Sequence, residues 1–211
     1  MLKKIFSISL LTSALIFSGC GSADSEGETR LETQDAIDTG NYAVAIAALE
    51  AKLVKTDEDY LQLASAYMGQ AGFSFTELIS IMNQSTSGNT EAFASFFESV
   101  KDNSKTQSLE YLDDAIDSYS AISDQTDDVK LYLGLAYITK ATVVVGSLNN
   151  VADVNASTAA LLSDGIDAVE AAAPTEVEDD VIEFRNEIDT SVDGVISESE
   201  LETYLTNEGL I

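Results

Sequence analysis

The sequence predicts an all-α fold: a run of helical hairpins, in an irregular solenoid or bundle, followed by a C-terminal helix–loop–helix. Three observations predict it. Apolar residues recur at helical spacing from Leu31 to about Ala172, as in Leu61, Ala64, Met68 and Ala71. Strand-like alternation of useful length is missing, and the strongest β-branched run, Val143 to Val145, continues a helical pattern that starts at Leu131. Finally, the chain repeats itself. Residues 41–72 set against 111–142 match without a gap at Ala45/Ala115, Ile46/Ile116, Ala51/Ala121, Thr56/Thr126, Asp57/Asp127, Leu61/Leu131, Leu63/Leu133, Ala66/Ala136, Tyr67/Tyr137 and Ala71/Ala141.

The first element is an address. Lys3 and Lys4 precede an apolar run from Ile5 to Phe17, which has the length of a signal-peptide core and is too short to span a bilayer comfortably. The run ends in Phe17-Ser18-Gly19-Cys20, which resembles the bacterial lipoprotein signal, with Phe17 where that family usually has Leu. The resemblance implies removal of residues 1–19 and acylation of Cys20, with membrane anchoring through several acyl chains. The sole Cys of the chain stands where that signal needs it. Gly21 directly after the Cys leans, by the same resemblance, towards the outer membrane of a bacterial envelope or its periplasmic face. Residues 20–30 then read as the lipidated Cys and a flexible Gly/Ser-rich tether.

The domain that follows, 31–174, is expected to carry helices near 30–38, 41–54, 57–72, 75–83, 90–101, 107–122, 126–146 and 157–172. Turn signals at Thr39-Gly40-Asn41, 85–89, 101–104 and Asn149-Asn150 separate several of them. Gly40-Asn41-Tyr42 with Ala45-Ile46 and Leu49-Glu50, and the pair Leu63-Ala64-Ser65-Ala66-Tyr67 and Leu133-Gly134-Leu135-Ala136-Tyr137, resemble the helices of tetratricopeptide repeats. Lys52 stands where that family prefers Ala, and the repeat's closing Pro is missing. The resemblance implies stacked hairpins with a grooved surface for a partner; an irregular bundle with one duplicated hairpin is the plainer alternative. The segment 73–97 concentrates Phe73, Phe75, Phe93, Phe96 and Phe97. These five either line an apolar groove for a protein or a hydrophobic small molecule, or form ordinary core.

The last element, 175–211, carries the one chemical motif. Residues 189–200 (DTSVDGVISESE) resemble the EF-hand calcium loop. The resemblance implies a Ca²⁺ ligand set of Asp189, Ser191, Asp193, the Val195 carbonyl, Ser197 through water, and Glu200 with both oxygens. It also implies a sharp turn at Gly194 and a core-facing Ile196. Val181, Ile182, Phe184, Arg185 and Ile188 would form the entering helix; Leu201, Tyr204 and Leu205 would form the apolar face of the exiting one. Three formal charges and no second loop in the sequence place such a site in the weak class, with Kd on the order of 10⁻⁴ to 10⁻³ M.

Composition excludes much else. There are 37 acidic residues, 10 basic residues and no His, a net charge of −27. All 37 acids follow Cys20 and two of the basic residues precede it, so the chain from Cys20 onward carries 37 acids against 8 bases. Phosphate backbones are repelled, so no nucleic-acid partner is expected. Without His there is no Ser/His/Asp set, no Gly-rich phosphate loop is present, and the many carboxylate pairs read as a solvated face; no enzyme is expected. The expected function is a calcium-binding, lipid-anchored envelope protein that binds or scaffolds partners through its helices, with calcium mainly structural. Its rival is a periplasmic protein that holds a hydrophobic solute for a transporter.

Overall fold

The computed structural model describes residues 25–86, 92–172 and 178–211. Among the described residues all regular structure is helical: ten α-helices, one short 3-10 turn and no strand. In chain order they are α1 (Ser25–Asp38), α2 (Tyr42–Glu50), α3 (Asp57–Ala71), α4 (Phe75–Thr86), α5 (Ala92–Asn103), α6 (Ser108–Ser120), α7 (Asp127–Gly146), the 3-10 turn Val151–Asp153, α8 (Ala156–Glu170), α9 (Glu178–Ile188) and α10 (Glu198–Glu208). The apolar run and Cys20 lie outside the described residues.

The duplicated segment folds twice in the same way. Thr56 and Thr126 are both N-caps in extended backbone, and each side-chain oxygen accepts a main-chain N–H three residues on, from Asp59 and Val129. Asp59 closes a capping box back onto the Thr56 N–H. Acids fill both first turns, Asp57, Glu58 and Asp59 in α3 and Asp127 and Asp128 in α7, where the positive end of the helix dipole favours them. Ala45 and Ala115 are fully buried, as are Ala66 and Ala136, and these small side chains let the paired helices approach closely. The two copies are joined at this end: Asp57 of α3 accepts hydrogen bonds from Ser123 N–H (3.1 Å), Ser123 Oγ (2.7 Å) and Asp124 N–H (3.2 Å) in the turn before α7. Neighbouring packing runs α1 on α2, α2 on α3, α3 on α6, α6 on α7 and α7 on α8, while α4 and α5 form an insertion that packs on α7 and α9.

Two boundaries differ from expectation. Helix α2 ends at Glu50 rather than near 54, so Lys52 and Leu53 do not extend its apolar face. The chain must turn to reach the Thr56 cap, and Lys52 instead reaches forward to pair with Asp59. Helix α1 starts at Ser25, inside the segment expected as tether. Beyond that extension α1 is held on α3: Arg30 pairs with Glu58 (2.6 Å) and Thr33 Oγ1 donates to Gln62 Oε1 (3.0 Å).

Helices α7 and α8 meet backbone to backbone. A Cβ at Gly134 would come within 2.6 Å of the Gly165 carbonyl, and one at Gly165 within 2.9 Å of the Gly134 carbonyl. Helix α7 is long and apolar enough to cross a membrane, but 61% of its most apolar window is buried inside the protein, so it is the central core helix. One hydrophobic core runs from Leu49 through α7 to Leu205 and Leu210. The expected division into a helical domain and a separate C-terminal unit therefore does not extend to the core, which both share.

Phe73, Phe93, Phe96 and Phe97 are buried in that core; Phe75 is half-buried, edge-on to Tyr132 at 4.1 Å between centroids. The chain's own C-terminus fills the space beside α5. Phe184 of α9 lies 5.4 Å from Phe93 and 5.3 Å from Phe96, and Tyr204 of α10 lies edge-on to Phe93 at 5.8 Å. At Phe93 and Phe96 the apolar surface that a groove would offer is thus covered by Phe184 and Tyr204.

Candidate metal centre

Helices α9 and α10 flank the loop 189–200. Val181, Phe184 and Ile188 of α9 and Leu201, Tyr204 and Leu205 of α10 are the buried faces, as their apolar spacing requires. Ile188 and Leu201, at the two ends of the loop, are both fully buried, which sets the loop as a strap over the core.

Asp189 opens the loop and is 5% exposed. Its Oδ1 accepts from the Val192 N–H (2.8 Å) and from Ser191 Oγ (3.1 Å), and its Oδ2 accepts from the Gly194 N–H (2.8 Å). A buried carboxylate needs such donors, since an unpaired charge there would be costly. The loop can supply them because it bends twice through the left-handed region, at Val192 (φ 57°) and at Gly194 (φ 86°). Gly is the residue that takes this conformation without strain; Val192, β-branched, is held there by the Asp189 bond.

Arg185 of α9 braces the loop from behind. Its Nη1 donates to the Gly194 carbonyl (3.0 Å), and its Nη2 to Asp167 of α8 (2.5 Å). Its buried Nε makes no hydrogen bond, although Glu170 Oε1 stands 3.5 Å away as an ion-pair partner. Past the turn, Ile196 enters the core, and its N–H donates to Ser163 Oγ of α8 (2.8 Å).

Ser197 and Glu200 start α10. Ser197 is its N-cap, and the two side chains form a reciprocal capping box. Glu200 Oε2 accepts from Ser197 N–H (3.0 Å) and Oγ (2.7 Å), while Oε1 reaches across the loop to the Ser191 N–H (2.8 Å) and Thr190 Oγ1 (3.2 Å). The bonds from Ser197 and Ser191 hold its carboxyl well below the usual glutamate range, at about 2. Glu200 is therefore an anion throughout the neutral range.

The six candidate ligand positions all fall on this one loop, and the donor set suits a hard cation: three carboxylates, two hydroxyls and a carbonyl. The structure holds these carboxylates with the loop's own N–H groups: Asp189 by Val192 and Gly194, Asp193 Oδ1 by Val195 (3.0 Å), Glu200 by Ser191 and Ser197. Among the described residues no three acidic, His or Cys side chains already converge on one point. Val195 and Ser197 are exposed.

Sequence reasoning missed Ser163 and the bracing role of Arg185. Ser163 lies 33 residues upstream on another helix, so no local pattern signals it. Arg185 was legible only as part of an apolar helix face.

These features define a class: an all-α chain of stacked helical hairpins closed by a C-terminal helix–loop–helix that shares its core. No family model, curated protein or solved structure matches the chain.

Proposed function

We propose that the protein is a calcium-binding, lipid-anchored protein of a bacterial cell envelope, and that it serves as a binding or scaffolding module through its helical hairpins. One observation carries the calcium reading. The loop buries an acidic side chain, Asp189, at its first position, turns through φ 86° at Gly194, and points a second anion, Glu200, back across itself. Asp189, Ser191, Asp193, the Val195 carbonyl, Ser197 and Glu200 would hold the ion, which supplies two positive charges against three carboxylates. Glu200 would then exchange its cap and cross-loop hydrogen bonds for the ion. The effect is structural: the loop ties together α9 and α10, whose Phe184 and Tyr204 cover Phe93. At constant ambient calcium such a site fixes a fold rather than signalling.

The test is thermal melting of the chain from Gly21 onward, with and without calcium. With Kd near 10⁻³ M, 10 mM calcium stabilises by about 1.4 kcal/mol, a rise of roughly 3–6 °C for a chain of this size. Glu200→Gln should abolish the rise while leaving the calcium-free melting point within a few degrees. A full rise in Glu200→Gln sinks the assignment. The anchor is tested separately, by the mass of the N-terminal peptide from the membrane fraction.

A further inference from the structure

The most exposed apolar side chains of the described residues include Leu53 and Val54, consecutive in the turn between α2 and α3; Leu53 is fully exposed and Val54 83% exposed. The fold does not require them. The second copy of the hairpin makes the same turn between α6 and α7 with Ser123 and Asp124 at the matching positions, 70 residues on. In that copy the polar pair is tied down by Asp57, whereas in the first copy the apolar pair stands free in water. Two large apolar side chains together in solvent mark a surface that meets something else.

The position of α1 says what. Arg30 pairs with Glu58 and Thr33 with Gln62, so α1 runs parallel to α3 with an offset of 28 to 29 residues. With α2 running back between them, the start of α1 and the turn that carries Leu53 and Val54 lie at the same end of the helical stack. Leu31, 72% exposed, belongs to the same end. Cys20 precedes Ser25 by five residues, a reach of at most about 17 Å even when fully extended. An acyl anchor at Cys20 thus holds this end of the molecule against the bilayer.

We propose that Leu53, Val54 and Leu31 form a membrane-docking end that inserts into the lipid interface next to the anchor and sets the orientation of the helical stack. This rests on the lipid-anchor reading of Cys20. Docking by apolar side chains suits this chain. An acidic surface gains nothing from anionic headgroups, while burial of Leu and Val in the interface does not depend on lipid charge. The anchored molecule would stand with the α2–α3 turn down and the opposite end, with Ser147 at the close of α7, facing the aqueous phase.

The experiment uses the full chain, processed in cells and reconstituted in phosphatidylcholine vesicles. With Cys20 acylated, Lys55→Cys or Ser147→Cys supplies a single thiol for an environment-sensitive fluorophore. The label at 55 should be quenched several-fold less by aqueous acrylamide on vesicles than in detergent-free buffer after removal of the anchor, and the label at 147 equally in both. Leu53→Ser with Val54→Asp, the residues of the second copy, should restore full quenching at 55 while the protein stays vesicle-bound. Vesicle-bound protein with a fully quenched label at 55 overturns the docking and leaves the anchor intact. Protection at 55 that appears without lipid and grows with protein concentration makes the face a self-association surface and overturns it too. An unacylated Cys20 with no vesicle binding removes the anchor reading and the docking with it.

Discussion

The main-chain N–H of Ile196 donates to Ser163 Oγ across 2.8 Å, inside the protein, joining the middle of the 189–200 loop to helix α8. Both residues are buried. A lone helix–loop–helix has a main-chain donor at this point with no second loop to satisfy it. Here a serine of the helical stack does so, and Arg185 adds a second tie between loop and stack through Gly194 and Asp167. The loop is shaped by the body on which it sits.

Ser163→Ala should therefore destabilise out of proportion to its size. It leaves the Ile196 N–H buried without a partner, at a cost of about 1–3 kcal/mol. Urea unfolding measures it. A loss under about 0.5 kcal/mol, the range of ordinary surface substitutions, would show that the bond does not hold the loop.

Gly134→Ala and Gly165→Ala should each destabilise, although Ala is the better helix former by about 1 kcal/mol. The added Cβ meets carbonyl oxygen of the facing helix at 2.6 and 2.9 Å, and neither backbone can yield without moving a helix. The net loss is expected at about 1–3 kcal/mol, larger for Gly134, whose contact is closer. Equal or increased stability in both variants would mean that α7 and α8 separate freely.

Phe184→Ala should cost about 3–5 kcal/mol, because the ring is fully buried between Phe93 and Phe96. Its further signature is local. Amide exchange should rise first in α9 and α10 and in the start of α5, where the Phe93 N–H donates to Glu187 (3.1 Å). Uniform acceleration across α1 to α3 instead would contradict the view that the C-terminal hairpin is held locally, through α5 and α8.

Stability should fall in acid through Asp59. The side chain is buried, and burial opposes its charge. The Lys52 ion pair and the Thr56 hydrogen bonds outweigh this and lower its pKa from 3.8. A depressed carboxylate contributes stability that is fully present above the unfolded value near 3.8 and is lost as pH falls through the lower folded value. Asp59→Asn should be less stable than the parent at pH 7, and the gap should narrow as pH falls below 4. A pH-independent gap would assign the loss to packing alone.

The parts of this fold that were legible in the sequence share one property: their signals are local. Thr56-Asp57 and Thr126-Asp127 announce helix starts because a cap and its acids lie within one turn. Gly194 announces a turn because only a narrow set of residues takes that φ easily. The end of α2 was misjudged because Leu53 continues the apolar spacing; nothing within the helix says that the chain must turn early to meet the Thr56 cap. The phenylalanines of segment 73–97 read as core or as groove, with core the plainer reading. The answer lay in Phe184 and Tyr204, about 90 to 110 residues away.

Helicity, the duplication of one hairpin and the position of the acidic loop can all be read from the chain alone, since periodicity, repetition and ligand order are properties of neighbours along it. What those elements touch emerges with the folded chain. Folding joined the C-terminal hairpin to the α5 aromatics, drew Ser163 and Arg185 into the loop, and brought the start of α1 to the same end of the stack as Leu53 and Val54. Such pairings depend on which buried faces and unsatisfied donors find each other across the whole chain, and that is settled when the core closes.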